Sequence, residues 1–362
     1  MIKILHITPD FNYSCGRSKL VFFYLKYFGN QKEYETHFIT NGGDSLDRLQ
    51  EISSLKFKQI KFSTGIKNIL FYFKFYNELK NYIIENKINL IHTNHRFPEL
   101  IANKIADEIK IKTVTSAHSF VNGFKKSSFK SDKIISVSKS ISSFIIENYN
   151  INKEKVITLY NPVEKLPELN IVDKEKIKRE MGINSNQKIL MFVGRINYQK
   201  GYDKLIKAYE IVYKKDQNII LIMCGKVEEK SFWQMRTKLT VPIIVIPSLK
   251  NNKPLYEIAD IIILSSRQDP FPFVMIEAGS HKKPFIGGNT GGIKEFIDDK
   301  VNGLLVNPEN EDDLAEKILF IFNNKNLAEE FGRNLYKKVI ENCDYENYFN
   351  KVDKIYKSLL NM

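Results

Sequence analysis

The sequence predicts an α/β protein with two Rossmann-like, doubly wound domains that face a central cleft. Three observations lead to this fold class. The chain has 362 residues, enough for about two domains of ~150 residues each. Hydrophobic residues make up 43% of it, which is ample for buried cores and excludes a disordered chain. Short β-rich runs alternate with longer amphipathic segments, the pattern of parallel sheets covered by helices.

In the first half of the chain, β-branched and aromatic runs predict strands, and amphipathic stretches between them predict helices. The strands are expected at residues 3–7, 35–40, 56–62, 89–93, 112–116, 133–137 and 156–159. The helices are expected at residues 18–28, 66–85, 98–108 and 140–149. Ligands of such sheets bind beyond the carboxyl ends of the strands, so the loops at those ends are the candidates for function.

The second half repeats the alternation. Its strands are expected at residues 188–193, 219–224, 243–246, 261–264, 284–286 and 303–306, and its helices at residues 202–214, 273–280, 312–323 and 327–341. Pro162, Pro167 and a charged stretch over residues 172–180 mark the boundary between the halves. We therefore expect domains at residues 1–165 and 166–344 and a C-terminal helix over 345–362, whose packing back on the first domain the sequence leaves open.

Cysteine usage and the N-terminus indicate the compartment. Cys15, Cys224 and Cys343 are odd in number and widely spaced, which excludes a disulfide framework or a zinc ribbon and fits a reducing cytoplasm. The chain opens on a short strand rather than a leader, and no apolar run approaches the ~20 residues that span a bilayer. A cytoplasmic location is therefore expected.

Three loops of the second half carry candidate binding residues. The first, residues 193–201, joins a strand to a helix and contains Arg195 and Lys200. Two cations there could clamp a diphosphate, because Arg supplies a planar fork and Lys a point charge. The alternative is a solvated loop with ordinary basic residues.

The second loop, residues 265–279, is the most informative. Asp269 follows a strong strand, and Pro272 suits the first turn of a helix whose free amides, including those of Phe273 and Val274, would bind a phosphate. Glu277 lies one to two turns into that helix and could accept hydrogen bonds from a ribose diol. The alternative is that Asp269 only complements the helix dipole and that Glu277 is solvated.

The third loop, residues 287–295, is rich in glycine and includes Gly292. Glycines allow the backbone to approach a phosphate or a sugar closely. The loop does not match the G-x-G-x-x-G fingerprint of dinucleotide sites, and alone it could be a plain tight turn. Its place beside the second loop in the same sheet strengthens the functional interpretation.

Together the three loops resemble the donor-binding half of glycosyltransferase family 4, a retaining family of GT-B fold. The shared order is Gly-Arg…Lys-Gly, then an acidic residue eight positions before a glutamate, then Gly-Gly-Ile-x-Glu. The resemblance implies that Arg195 and Lys200 bind the nucleotide diphosphate, that Glu277 binds ribose, and that Asp269 contacts the transferred sugar. Phe273, Val274 and Gly292 would complete the cradle. Asp269 in place of the usual glutamate, and Pro272 in place of a frequent glycine, leave the donor sugar open.

The first half resembles the family more loosely. The loop after the first strand carries Cys15 and Gly16 where the family often has two glycines, and Gly16 could approach the donor phosphate or the acceptor. His118 directly follows a strand, and the resemblance implies a histidine there that contacts the sugar near the reacting carbon. His92 and His95 could also touch the acceptor. No D-x-D triplet or metal-ligand spacing occurs, so no metal or other cofactor is expected beside a UDP-sugar or GDP-sugar donor.

Charge is distributed unevenly along the chain. Of a net charge of +13, residues 1–165 hold 25 basic and 15 acidic side chains, against 30 and 27 in residues 166–362. Two segments, 66–80 and 124–133, mix lysines with aromatics, as surfaces at an anionic bilayer do. The alternatives are that the aromatics of 66–80 pack on the sheet and that a lysine-rich genome explains the total. Nucleic acid is disfavoured because no recognisable reader motif occurs.

The sequence therefore predicts a metal-independent, retaining hexosyltransferase, cytoplasmic and peripheral at the inner face of the cell membrane. It would move a sugar from a nucleotide-diphospho-sugar to a hydroxyl of a lipid-linked or cell-envelope glycan bound by the basic half. The alternatives are a nucleotide-sugar epimerase of the same fold and a non-enzymatic, nucleic-acid-binding α/β protein. Base, sugar, linkage, acceptor and oligomeric state are left open.

Overall fold

The computed structural model describes residues 1–62, 69–164 and 174–362. The chain divides into two compact units. Unit 1 comprises Met1–Asn161 and Glu346–Met362, and unit 2 comprises Pro162–Tyr345. Each unit is a parallel sheet with helices, so the predicted α/β class with two doubly wound sheets is confirmed.

Unit 1 contains a seven-stranded sheet in the order β3-β2-β1-β4-β5-β6-β7, and every pairing is parallel. The strands are β1 Ile2–Thr8, β2 Tyr34–Thr40, β3 Leu55–Gln59, β4 Leu90–Thr93, β5 Lys112–Ala117, β6 Lys133–Ser136 and β7 Val156–Thr158. The helices before the boundary are α1 Gly16–Gly29, α2 Ile69–Glu85, α3 Arg96–Ile109 and α4 Lys139–Tyr149. The strand order reverses between β1 and β4, which makes the carboxyl ends of these two strands the switch point where ligands bind in such sheets.

Unit 2 contains a six-stranded parallel sheet in the order β10-β9-β8-β11-β12-β13. The strands are β8 Lys188–Val193, β9 Ile219–Cys224, β10 Ile243–Ile246, β11 Ile261–Leu264, β12 Phe285–Gly288 and β13 Leu304–Val306. The helices are α5 Lys174–Glu180, α6 Tyr202–Lys215, α7 Lys230–Arg236, α8 Lys253–Ile258, α9 Phe273–Ser280, α10 Gly291–Phe296, α11 Glu311–Asn323 and α12 Lys325–Asn342. Here the order reverses between β8 and β11, so the loops after those strands meet at the switch point.

The last helix, α13 Tyr345–Leu359, packs on the sheet of unit 1 through an aromatic and polar face. The Tyr348 hydroxyl lies 2.7 Å from that of Tyr24, and the Tyr356 hydroxyl lies 2.5 Å from Nδ1 of His92. The Phe349 ring stacks on Tyr27 at 4.7 Å between centroids. A buried hydroxyl without a hydrogen-bond partner costs free energy, so these pairings favour one register of the helix on the sheet.

Two short helices of unit 2, α7 and α8, were absent from the sequence interpretation. Each has only six or seven residues, too few for an apolar period to stand out. The predicted helix at 66–85 and the charged stretch at 172–180 begin in positions outside the described residues, and the helices described within them are α2 and α5.

Candidate functional site

A side-chain hydrogen bond and a close approach to a neighbouring loop hold the loop after β8 in shape. Asn197 accepts a hydrogen bond from the Lys200 amide through Oδ1 at 3.1 Å, which closes a short turn. Gly201 adopts a left-handed φ of 72°, and a Cβ there would lie 2.1 Å from the Ser265 carbonyl oxygen. Only glycine allows this approach, so the loop after β8 lies directly against the loop after β11.

That approach brings Lys200 and Asp269 together. The Lys200 ammonium lies 2.5 Å from Oδ2 of Asp269, and the two side chains are 16% and 3% exposed. Ser266 donates to the same carboxylate oxygen at 3.3 Å. The chain positions are far apart, so the pair exists only because β8 and β11 are neighbours in the sheet. Its result is a nearly buried, charge-balanced pair at the carboxyl edge of unit 2.

Arg267, in the loop after β11, also binds the loop after β8 and the start of α6. Its guanidinium binds both oxygens of Asp203 at 2.7 and 2.8 Å and donates to the Tyr198 carbonyl at 2.7 Å. It also lies 3.7 Å from the centre of the Tyr198 ring. The Asp203 carboxylate raises the pKa of Arg267 above its ordinary value. No role was predicted for this arginine from the sequence, because Tyr198 and Asp203 lie 69 and 64 positions before it in the chain.

Arg195 lies on the same loop as Lys200 but has a different partner. Its Nη1 lies 3.3 Å from Oε2 of Glu228, which also accepts from Nδ2 of Asn197 at 2.7 Å. The Arg195 side chain is 40% exposed. Its guanidinium is therefore available to solvent and to a ligand, while Glu228 holds it near the sheet edge.

Helix α9 begins immediately after the Asp269 loop. Pro272 is the N-cap rather than a first-turn residue, and no side chain caps this end. The Met275 amide already donates to the Pro272 carbonyl at 3.2 Å, and Phe273 and Val274 are the first two residues of the helix.

Gly292 packs against the Asp269 loop. Its amide donates to the Asp269 carbonyl at 2.9 Å, and a Cβ there would lie 2.0 Å from the Pro270 carbonyl oxygen. Because this amide already has a backbone acceptor, the observed role of Gly292 is to let β12's loop approach the loop after β11. The glycine-rich loop thus shapes the neighbourhood of Asp269.

Glu277 is oriented by a tyrosine that the sequence analysis missed. The hydroxyl of Tyr256, on α8, donates a hydrogen bond to Oε2 of Glu277. Tyr256 is fully buried, and burial raises its pKa well above the ordinary value. Its ring stacks on His281 at 5.1 Å, and Nδ1 of His281 lies 2.7 Å from Oε1 of Glu257. Since Tyr256 and Glu277 lie 21 positions apart, no local sequence signal could have paired them.

In unit 1, the predicted residues Gly16 and His118 lie at the carboxyl edge of the sheet. Gly16 opens α1, and His118 follows β5 with Nε2 3.2 Å from Oδ1 of Asn94. Enclosure by neighbouring atoms lowers the pKa of His118 to about 3, with the charge of Arg17 acting in the same direction. The ring is therefore neutral at physiological pH.

The other two histidines near this edge have structural partners. His92 is fully buried between the Tyr356 hydroxyl and the Ser116 hydroxyl, which lies 2.8 Å from Nε2. His95 is the N-cap of α3, where Nδ1 accepts from the Phe97 amide at 3.2 Å. Because His92 is closed off from solvent, the suggestion that it touches an acceptor was wrong.

The two aromatic and basic segments differ in structure. In the segment 66–80, positions 66–68 lie outside the described residues, Phe75 is fully buried in the core, and Phe73 is 56% exposed. In the segment 124–133, Lys125 and Lys126 are exposed and Phe124 is 47% exposed, with the Arg96 guanidinium 5.4 Å from its ring centre. The second segment therefore presents the mixed lysine and aromatic surface.

Across the described ranges, no group of three or more His, Cys, Asp or Glu side chains is placed to hold a metal ion. Of the helices in the described part of the chain, none is both long and apolar enough to cross a membrane.

Comparison with known proteins identifies the two halves of the chain. Residues 26–165 match the family model of Glycosyltransferase Family 4, and residues 173–338 match that of Glycosyl transferases group 1. An uncharacterized glycosyltransferase of Methanocaldococcus jannaschii is 29% identical over 91% of both chains. A second one from that organism is 28% identical over 65% of this chain and 62% of its own length.

Two further comparisons concern a named relative and a solved structure. The capsular polysaccharide biosynthesis glycosyltransferase CapM of Staphylococcus aureus is 23% identical over 92% of both chains. The Anabaena protein HepE in complex with UDP-glucose superposes with a TM-score of 0.83 at 16% identity, over 99% of this chain and 100% of that chain. The latter likeness, at that identity, is one of fold.

Proposed function

The chain belongs to the GT-B glycosyltransferases of the group 1 and family 4 type, and from that membership we propose which reaction its residues perform. The reaction is retaining transfer of a hexose from a UDP-sugar or GDP-sugar to a hydroxyl of a lipid-linked or cell-envelope glycan. Unit 2 binds the donor and unit 1 binds the acceptor. A capsular relative and a neighbour solved with UDP-glucose support this choice of substrates.

The observation that carries the proposal is the Lys200–Asp269 pair beside the uncapped start of α9. Lys200 and Arg195 neutralise the departing diphosphate, and the first turn of α9, which contains Phe273 and Val274, adds the partial positive charge of a helix start. Charge that develops on the leaving group is thereby stabilised by fixed cations. No divalent metal is needed in this scheme.

The remaining site residues bind the sugars. Asp269 is buried and already oriented by Lys200 and Ser266, so it can accept a hydrogen bond from a hydroxyl of the transferred sugar. Glu277, held by Tyr256, accepts from the ribose diol. In unit 1, His118 is neutral and Gly16 opens α1, and we assign both residues to the binding of the sugar substrates.

Transfer in this scheme proceeds on one face of the donor. The bond from the anomeric carbon to the diphosphate oxygen breaks as an oxocarbenium-like centre develops, and the acceptor oxygen forms the new bond on that face. The diphosphate oxygen takes the proton of the acceptor hydroxyl. Asp269 acts as a binding group and not as a covalent nucleophile.

The test measures nucleotide release from a panel of UDP-sugars and GDP-sugars with and without membrane lipid extract. We expect release that depends on acceptor, and a loss of at least about 100-fold in kcat/KM for Lys200→Ala and Glu277→Ala. Lys214→Ala, which removes an exposed lysine from the last turn of α6, is the matched control. Wild-type turnover in either site variant would contradict the residue assignment.

Nucleotide-sugar isomerisation without an acceptor would instead indicate the epimerase alternative. Failure to bind any nucleotide-sugar would indicate the non-enzymatic one. The proposal places the protein in the cytoplasm at the inner face of the membrane, with the exposed lysines of the segment 124–133 facing anionic lipid rather than nucleic acid.

A further inference from the structure

Arg17, in the first turn of α1, has unused hydrogen-bonding capacity. Its Nη2 donates to the Asp10 carboxylate, whereas its Nε is buried without an acceptor. The side chain as a whole is 18% exposed, so the guanidinium lies in a recess and not on an open surface. A buried N–H without a partner costs free energy, which makes it a candidate for contact with a ligand.

Asn94 supplies a second unused donor at the same edge of the sheet. It follows β4, is 1% exposed, and its Nδ2 has no acceptor. The neutral His118 ring donates from Nε2 to its Oδ1, which leaves the amide nitrogen as the free end of the side chain. Arg17, Asn94 and His118 follow β1, β4 and β5, which are neighbours in the sheet, so all three residues lie at the same carboxyl edge, and the charge of Arg17 contributes to the lowered pKa of His118.

The N-terminus of α1 also favours an anion at this edge of the sheet. This helix has 14 residues, no side chain caps its N-terminus, and no acidic residue occurs in its first turn. The first-turn amides and the helix dipole therefore favour a negative charge. Asp10 is the carboxylate paired with Arg17, and His95 and His118 are uncharged, their pKa values being lowered to about 4 and about 3.

We propose that Arg17, Asn94 and the first turn of α1 form a subsite in unit 1 that binds an anionic group, phosphate or carboxylate, of the acceptor. Two unpaired N–H donors and a helix start then receive oxygens of one group. The assignment to the acceptor rests on the proposed function, in which Arg195 and Lys200 of unit 2 take the donor diphosphate. The existence of the anion subsite does not depend on it.

The test uses the full chain and two probes, glycerol phosphate and succinate, titrated by calorimetry with and without saturating UDP. We expect at least one probe to bind the wild type in the presence of UDP. Arg17→Gln should weaken that binding by roughly tenfold or more, because it removes a charge-assisted, forked contact. Arg17→Lys keeps the positive charge but loses the forked guanidinium, so its affinity for the probe should fall between those of the wild type and Arg17→Gln.

The control is Lys32→Gln, which removes an exposed positive charge between α1 and β2 and should leave probe affinity unchanged. Circular dichroism measures whether each variant is folded. If Arg17→Gln does not fold, the probe affinity of Arg17→Lys, compared with that of the wild type, tests the subsite. UDP affinity should be the same in all variants.

Equal probe binding by wild type and Arg17 variants, or no binding by the wild type, would overturn the subsite. If UDP excludes the probe and Arg17→Gln weakens UDP itself, the anion belongs to the donor and the assignment to the acceptor is wrong. A failure of the proposed function is distinguishable, because the protein would then bind no nucleotide while the probe titrations without UDP still report on Arg17.

Discussion

Single residues at the edge of unit 2 are held by neighbours that bind no substrate in our scheme. Lys200 is positioned by Asn197 and Gly201, and Glu277 by Tyr256. Arg267 ties the Lys200 loop to α6 through Asp203. Such supporting contacts matter because a side chain displaced by about 1 Å from its productive position stabilises the transition state much less.

Tyr256→Phe tests whether this support affects function. The change removes the hydrogen bond to Glu277 and keeps the buried ring, so Glu277 should lose its orientation without a loss of core packing. We expect KM for the donor to rise about fivefold to tenfold with a smaller change in kcat, which corresponds to about 1 kcal/mol, the net value of an ordinary hydrogen bond. Steady-state kinetics measure both constants.

The matched control is Tyr213→Phe, which removes a tyrosine hydroxyl on α6. A Tyr256→Phe enzyme whose donor KM equals that of this control would show that the hydrogen bond to Glu277 is irrelevant to donor binding.

His6 makes the stability of unit 1 depend on pH. It is fully buried among Tyr24, Phe28 and His92, neither ring nitrogen has a partner, and burial lowers its pKa from 6.5 to about 3. The unfolded state therefore binds a proton below pH 6.5 that the folded state rejects. Its contribution to stability is retained above pH 6.5 and is lost progressively as the pH falls towards 3.

His6→Phe should raise the free energy of unfolding at pH 7, by about 1 kcal/mol, because it removes an unpartnered buried polar group. The gain should be about 2 kcal/mol larger at pH 5, from 1.36 kcal/mol per pH unit over the range below 6.5. Urea denaturation followed by circular dichroism at both pH values measures the difference. A gain that does not change with pH would contradict the lowered pKa.

At the level of elements, α13 joins unit 1 although it follows the whole of unit 2 in the chain. Its hydrogen bonds reach β4 through His92 and α1 through Tyr24, and Asp353 accepts from the Tyr34 hydroxyl at 2.5 Å. The helix therefore covers buried polar groups of the sheet that would otherwise lack partners.

Tyr356→Phe should lower the free energy of unfolding by about 1–3 kcal/mol, since Nδ1 of the buried His92 then has no hydrogen-bond partner. Denaturation of the purified variant, compared with Tyr213→Phe as before, measures the loss. Equal stability of the two variants would mean that the hydroxyl of Tyr356 does not anchor α13.

On the scale of the whole molecule, the role proposed for the exposed lysines of the segment 124–133 is contact with an anionic membrane. Lys125 and Lys126 are exposed beside the exposed ring of Phe124. Each lysine near an anionic membrane contributes about 1 kcal/mol, and the attraction weakens as salt screens it. The proposed membrane contact is therefore testable without a substrate.

The variant Lys125→Gln/Lys126→Gln should bind phosphatidylglycerol vesicles roughly thirtyfold more weakly than wild type, since two lysines contribute about 2 kcal/mol. Co-sedimentation at low salt measures this, and raising the salt should release the wild type as well. Lys214→Gln/Lys215→Gln removes two exposed lysines from unit 2 and serves as the control. Equal weakening by both double variants would indicate general electrostatics and not a membrane-facing segment.

The fold was predictable because its signals are local. Alternation of apolar strands with amphipathic helices, as in 188–193 followed by 202–214, requires no knowledge of distant contacts. The loops with Lys200, Asp269 and Gly292 were found for the same reason, since strand, loop and helix follow one another directly. Short helices such as α8 gave no period long enough to detect.

The partners of the site residues were not predictable in the same way. Tyr256 with Glu277, Arg267 with Asp203, and Asn94 with His118 join residues from different strands or helices. A sequence without an alignment carries no signal of such pairing, and a histidine that binds a ligand looks the same as one that is buried. His92 and His118 illustrate this, because only their surroundings separate them.

The sequence alone therefore determined two parallel α/β sheets, the three donor-side loops and their resemblance to a family, because each depends on neighbours in the chain. Only the tertiary structure decided that Lys200 pairs with Asp269, that α13 closes unit 1, and that Arg17 and Asn94 have unused donors. These features depend on strand order and burial, which bring together groups that lie up to 324 positions apart in the chain.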